Sequence, residues 1–336
     1  MEKLKVSVII PIYNAGHRLK ACIESLVSQT LKELELIFVL DCPTDGSDKI
    51  VMEYSKKYDN IIVITNERNL NIGLSRNEGL KAARGEYVAF CDHDDIVKEY
   101  MYEEMYNVGK QQDADIVLGV PEYSYADSSM NEIYYYPQEG DVKNILLPLI
   151  IGRDETKRGW DFYYSHGVIW DNIYKREFLI ESGICFIDNN KLTFEDNLFL
   201  IEALIHANKA VVYNKLVYVH TIEENNTAAS IDFVKKDKIL AYVDYLHDIL
   251  SDNNIYEKYY SNFSKSVCSY LKGSIRREFK QTGKCLKSTK VFVDELKSSN
   301  LTGPILRSVD LSDFLYGSNT LKSKILDVFL YSYLKL

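Results

Sequence analysis

The chain has 336 residues, longer than the usual single domain, with 46% hydrophobic and 26% charged residues, which suits a folded chain with a sizeable core and excludes global disorder. The net charge is −9, so a general nucleic-acid coat, which needs an excess of Lys and Arg, is excluded. The first hundred residues alternate strand and helix patterns. Val6–Pro11 is a nearly continuous apolar run stopped by proline, the pattern of a strand buried on both faces. Residues His17–Gln29 place Leu19, Cys22, Ile23, Leu26 and Val27 at helical spacing. Leu34–Leu40 reads as a second buried strand, and Ser47–Tyr58 as a helix with Ser47 as its cap. Ile61–Thr65 is a third strand. Ser75–Ala83 is helical, with Gly85 placed to end it, and Glu86–Cys91 is a fourth strand.

Such repeated units imply a mostly parallel sheet with right-handed crossovers. Beyond Tyr100 the pattern loosens. Ile116–Val120 reads as a strand, and the Tyr- and Ser-rich stretch 121–140 as a loop or hairpin. Val168–Phe178 and Phe194–His206 carry helical spacing, and Ala210–His220 reads as one or two strands. Beyond about residue 230 long helical stretches dominate, notably Lys235–Leu250 and Ser264–Phe279. The expected division is therefore 1–228, an α/β domain, and 229–336, a helical domain.

In a parallel sheet, ligands bind beyond the carboxyl ends of the strands. The polar clusters fall there. Strand one ends at Tyr13-Asn14, strand two at Asp41, and strand four at Asp92-His93-Asp94-Asp95. Two carboxylates two residues apart on a turn can share a hard divalent cation whose remaining ligands are phosphate oxygens and water. The competing reading is an acidic loop that caps the next helix. Asp41 could accept a hydrogen bond from a base or ribose, or could serve turn chemistry with Asp45. Tyr13 could stack on a base or belong to the core. Arg76 could neutralise phosphate or sit on an exposed helix face. Glu195-Asp196 lies among apolar residues, which suits a general base as well as an acidic first turn. His220 ends a strand, where it could bind metal or phosphate or be structural.

Taken in order, Val6-Ser7-Val8-Ile9-Ile10-Pro11-Ile12-Tyr13-Asn14, Glu35–Asp41, Thr44–Ser47, Asn71–Leu80, Gly85–Phe90 with the Asp92–Asp95 tetrad, Trp170–Arg176 and Phe194–Asp196 resemble glycosyltransferase family 2 over roughly residues 5–225. The resemblance implies a GT-A nucleotide-sugar transferase fold. It also implies inverting transfer from a nucleotide-diphosphate sugar, with a UDP-sugar expected, to a hydroxyl of a glycan or lipid-linked acceptor in cell-surface polysaccharide synthesis. Mn2+ or Mg2+ is the implied cofactor. On the donor side it implies Pro11, Tyr13, Asn14, Asp41, Arg76, Asp92 and His93. Asp92 and Asp94 would form the D-x-D metal motif, with His220 as a further ligand. Trp170 and Glu195 would lie on the acceptor side, and Asp196 would be the base. Two departures from the family pattern stand out. Cys42-Pro43 follows Asp41 where Gly-Ser is usual, removing a backbone N–H, and bulky His93 fills the middle of the D-x-D.

Two other functions compete. A nucleotidyltransferase would need a glycine- and lysine-rich loop, which Pro11–Gly16 lacks, and a non-catalytic nucleotide-sugar-binding or scaffold protein would have no need of Asp196. The six cysteines form no C-x-x-C pair, and reduced thiols in a cytoplasmic protein are expected. No export signal or membrane span is legible. Residues 231–336 carry 17 basic and 12 acidic residues, and within 258–297 the count is 10 against 3. That stretch, with Lys265, Lys272, Arg276, Arg277, Lys280, Lys284, Lys287 and Lys290, is expected to form either a solvated helix face or a peripheral contact with anionic lipid at the inner face of the cell membrane.

Overall fold

The computed structural model describes residues 3–125, 131–133, 141–152, 167–222, 236–282, 286–308, 328 and 331–332. The chain divides into two compact units. The first holds residues 1–145, 167–190 and 194–224, and the second the remainder. The expected boundary near residue 228 lies outside the described residues.

The first unit is built on a mixed sheet that has nine strands among the described residues. These are β1 (Val6–Ile12), β2 (Leu34–Leu40), β3 (Ile61–Thr65), β4 (Tyr87–Phe90), β5 (Ile96–Val97), β6 (Ile116–Tyr125), β7 (Asn131–Ile133), β8 (Asn172–Lys175) and β9 (Ala210–Ile222). The order is β3-β2-β1-β4-β8-β6-β9-β5, with β7 on β6. The parallel block β3-β2-β1-β4 is the part with apolar runs, and β1, β2 and β4 are buried at every position. Antiparallel β8 then joins β4 to β6.

Pro11 fits inside central β1 for a simple reason. Its ladder with β4 ends at Ile9 opposite Phe90, and the Cys91 N–H donates to Ile9 O. Pro11 lies two residues on, so its missing N–H faces the same side, past the end of the ladder. It is buried opposite Val39, so the strand rather than an open donor surface surrounds it.

Helix α1 (Leu19–Val27) follows a short 3-10 turn, α2 is Ser47–Ser55, α3 is Asn71–Ala82 and α4 is Met101–Gln112. Helix α3 lies on β1 and β2. A Cβ at Gly79 would come within 2.3 Å of Ile9 Cγ2, so this helix–sheet approach requires glycine. Helices α5 (Val142–Gly152), α6 (Arg176–Glu181) and α7 (Glu195–His206) follow.

Several local expectations are corrected. The cap of α2 is Gly46 in the left-handed region, and Ser47 is its first helical residue. Helix α3 starts at Asn71, four residues before Ser75, because the turn at Leu70 is held by a side chain from β2. It ends at Ala83 in extended backbone, before Gly85. Residues 168–178 include strand β8 and the start of α6, because pairing on both sides, with β4 and β6, overrides a helix-like spacing. The stretch after β6 is a hairpin where described, with Ser124 opposite Asn131. The region 210–220 is one strand.

The second unit is helical where described. It contains α8 (Lys236–Asp252), α9 (Tyr256–Gln281), α10 (Leu286–Ser298) and α11 (Thr302–Ser308). Helix α8 buries Ile239, Tyr242, Val243, Leu246, Ile249 and Leu250 at helical spacing. Tyr242 meets Tyr270 of α9 edge to face, with ring centroids 5.1 Å apart. The basic stretch is not one solvated face. Lys265 and Lys287 are exposed, Arg276, Arg277 and Lys290 are intermediate, and Lys272 is buried. No helix among the described residues is long and apolar enough to cross a membrane.

Candidate active site

The carboxyl ends of β1, β2, β3 and β4 bring the polar clusters to one edge of the first unit. Four non-glycine residues with positive φ, Asn14 (47°), Cys42 (56°), Asn71 (65°) and Phe194 (58°), lie on the segments that build it. Phe194 is the costliest, since an aromatic side chain gains nothing locally from that conformation.

After β1, Tyr13 is 49% exposed, so it is not a core residue and its ring is free to meet a ligand. Asn14 Oδ1 accepts from the Thr44 N–H at 2.7 Å, which ties the loop after β1 to the loop after β2. Asp45 reinforces that tie. Its Oδ2 accepts from Gly16 N, and its Oδ1 accepts from Ser47 N and Ser47 Oγ. Asp45 is therefore turn chemistry.

Asp41 is different. It is 2% exposed, and its Oδ1 accepts from Leu70 N (2.7 Å) and Asn66 Nδ2 (2.8 Å). None of these bonds uses Oδ2. Asn66 follows β3, and its amide also donates to Ser75 Oγ. Adjacent residues Ile64–Arg68, Leu70 and Glu78 line a cleft of about 410 Å³.

Arg76 joins the two halves of the site. It projects from α3, is 3% exposed, and donates to Asp92 Oδ1 (2.9 Å) and Glu195 Oε1 (3.2 Å). Its guanidinium lies over Phe186, which stacks on Phe199 at 4.2 Å. Burial alone would lower the Arg76 pKa, but Asp92, Glu195 and Asp196 outweigh it and hold the cation firmly charged. Glu195 also accepts from Asn189 Nδ2 at 2.5 Å, and Asn189 Oδ1 accepts from Gly73 N. Burial and neighbouring Asp196 push Glu195 up to about 7 against the pull of Arg76. Asp196, next in the first turn of α7, is only half-buried and accepts from Asn197 N.

The acidic turn caps no helix. It runs into β5, and α4 begins at Met101 with no side-chain cap. Asp92 keeps a partly exposed side chain, 21% against 3% for Arg76. Asp94 is pushed up by burial and by Asp95 and Asp92, with His93 and His220 opposing. Asp95 is fully buried, and its partners are Tyr218, His220 and Thr221. His93 is intermediate in exposure. His220 directs Nδ1 at Asp95 (3.0 Å), which leaves Nε2 as its second nitrogen. Trp170 is 4% exposed and stacks on Tyr218 (4.5 Å) and His220 (5.0 Å), so it packs the wall behind the acidic turn.

Among the described residues, no group of three or more His, Cys, Asp and Glu side chains is arranged to hold a metal ion. Asp92, Asp94 and His220 therefore make no three-ligand cage. The donor set still fits a hard cation. A carboxylate crowded by two others, as Asp94 is by Asp95 and Asp92, is what a divalent ion would neutralise with diphosphate and water completing its shell.

Sequence reasoning missed Asn66, Asn189 and Tyr218. Asn66 was open to the strand-end rule that singled out Asp41 and Asp92. Asn189 and Tyr218 carry no local signal, because their partners lie on distant segments.

Residues 7–172 match the family model described as Glycosyl transferase family 2. The chain is 31% identical over 252 residues to the cholesterol galactosyltransferase of Borreliella burgdorferi, covering 71% of this chain and 66% of that protein. It is 30% identical to the glycosyltransferase GlyG of Streptococcus pneumoniae, covering 64% of this chain and 70% of GlyG. Among solved structures, the S. aureus TarS fragment 1–349 in complex with UDP-GlcNAc superposes with a TM-score of 0.64 at 21% identity, covering 98% of this chain and 90% of the fragment. The chain spans about two thirds of the galactosyltransferase and 55% of the longer TarS structure. Sheet order, strand-end carboxylates and these matches agree: the chain belongs to glycosyl transferase family 2 and has the GT-A fold.

Proposed function

We propose that the protein transfers a sugar, with inversion, from a UDP-sugar to a hydroxyl of a glycan or lipid-linked acceptor in cell-surface polysaccharide synthesis. The observation that carries this reading is the Arg76 bridge, which links Asp92 on the donor side to Glu195 beside Asp196. Tyr13 offers a face for the base, and Asp41 offers the oxygen left over from Leu70 and Asn66 to a base N–H. The UDP-GlcNAc complex of the TarS fragment supports the choice of nucleotide.

Asp92 and Asp94 would hold Mn2+ or Mg2+, which when bound offsets the negative charge that builds on the departing diphosphate. Asp196 takes the acceptor proton. Its place suits this role, because Glu195 is spent on Arg76 and Asn189 while Asp196 stays half-exposed. A single base facing the anomeric carbon opposite the leaving group gives inversion.

Asp196→Asn is expected to cut transfer at least about a thousandfold, at the upper part of the range for general-base loss, while UDP affinity stays unchanged. Asp92→Ala is expected to weaken Mn2+-dependent UDP binding measured by calorimetry. Full transfer by Asp196→Asn refutes the base. The 1–228/229–336 division and anionic-lipid contact through exposed Lys265 and Lys287 belong to the same reading. Flotation with vesicles that contain anionic lipid, at low salt, checks the lipid contact.

A further inference from the structure

Asp95 closes the tetrad in sequence, yet its carboxylate is fully buried and bonded within the fold. Oδ1 accepts from Thr221 N at 3.0 Å, and Oδ2 accepts from Tyr218 Oη at 2.8 Å. His220 Nδ1 lies 3.1 and 3.0 Å from the two oxygens. With these partners and no exposed surface, the carboxylate presents no face to a ligand.

The Tyr218 hydroxyl has a second bond. It accepts the Asp92 N–H at 3.1 Å. The first and last residues of the turn are thus joined through one side chain from β9: Asp92 N–H to Tyr218 oxygen, and Tyr218 O–H to Asp95. The ring of Tyr218 is held in place by Trp170, stacked at 4.5 Å and 25°, and by strand pairing of Val97 with Tyr218. Cys91 Sγ, 3.6 Å from the same hydroxyl, is the weaker of its two acceptors, so the O–H points at the Asp95 carboxylate while its oxygen takes the Asp92 N–H, and the hydroxyl holds both partners together.

We infer that Asp95 and Tyr218 are positioning residues for the donor site: Asp95 orients the Tyr218 hydroxyl, and the hydroxyl sets the Asp92 main chain where the carboxylates of Asp92 and Asp94 meet a metal-bound diphosphate. Asp95 itself is not a metal ligand. The inference rests on the donor-site reading above.

Tyr218→Phe is the direct test, because it keeps the ring and its stack on Trp170 and removes only the hydroxyl. The Mn2+-dependent Kd for UDP is expected to rise about tenfold, with UDP affinity in EDTA unchanged. In steady state the donor KM rises while the acceptor KM holds. Asp95→Asn is expected to move the same quantities in the same direction. Tyr102→Phe is the control, since the Tyr102 hydroxyl is buried in α4 and has no hydrogen-bond partner among the described residues. A lower Tm for Tyr218→Phe with an unchanged Mn2+–UDP Kd overturns the inference. So does an equal loss of affinity with and without metal. Asp95→Asn that fails to fold leaves the decision to Tyr218→Phe. Asp92→Ala is run beside them. If it binds Mn2+–UDP normally, the donor-site reading fails; if it is impaired and Tyr218→Phe is not, only the present inference fails.

Discussion

The ends of β2 and β4 both deliver a carboxylate to the same edge of the sheet, but they support it by opposite means. Asp41 is nearly buried and is met by neutral donors, the Leu70 N–H and the Asn66 amide. Asp92 is partly open and is met by a buried guanidinium shared with Glu195. Neutral donors fix direction at little desolvation cost beyond the carboxylate's own. A buried cation adds charge that must be balanced from more than one side, and Arg76 is balanced from two. The first arrangement suits recognition of a neutral group such as a base N–H. The second suits a place where the charge of a ligand changes during reaction.

Removing Arg76 strikes the charged end. Arg76→Met strands Glu195 in the core and is expected to cost about 3–5 kcal/mol in urea denaturation. Adding Glu195→Gln to that variant is expected to recover part of the loss, which an ordinary packing defect would not do. Asp41→Ala strikes the neutral end. It leaves the Leu70 N–H and the Asn66 amide without their acceptor and is expected to cost about 1–3 kcal/mol, with loss of UDP affinity that metal does not restore.

Glu202 of α7 supplies a third case, a carboxyl that burial alone pushes up to about 7 from its ordinary 4.5. A carboxyl raised in the folded state favours folding fully below about pH 4.5, and that contribution fades as pH rises through about 7. Glu202→Gln is therefore expected to flatten the fall in stability between those limits. Its stability relative to the parent should improve by about 1–2 kcal/mol at pH 8, a figure discounted for the group's partial exposure.

The parallel half of the sheet was legible because its strands announce themselves. Leu34–Leu40 and Ile61–Thr65 are apolar runs with sharp ends, and the strand-end rule then located Asp41 and Asp92 without further help. Strand β8 was not legible. Four residues flanked by Trp170 and Arg176 show no period of their own, and only pairing with β4 and β6 makes them extended. The site divides in the same way. Residues whose role follows from strand position were readable. Contacts between distant segments were not: Arg76 was a candidate by its place on α3, but its burial between two carboxylates 16 and 119 residues away left no mark in the sequence. Lys272 shows the converse error, a basic residue in a basic stretch that the fold nonetheless buries.

At the opposite end of the sheet, Glu35 is buried at the start of β2 and accepts from Ser7 Oγ of β1 and from the backbone N–H, Nε and Nη2 of Arg84 just before β4. One carboxylate therefore gathers three neighbouring strands where they begin. Because side chains alternate faces, a slip of one residue there would turn each strand over along its whole length, to the edge about 17 Å away that carries Asp41 and Asp92. Glu35 works as an alignment pin: it lies far from Asp41 and Asp92, yet it decides which face of each strand they emerge from. Amide exchange in β1, β2 and β4 should then be slowest at this pinned end, and quicken toward the loops at their carboxyl ends.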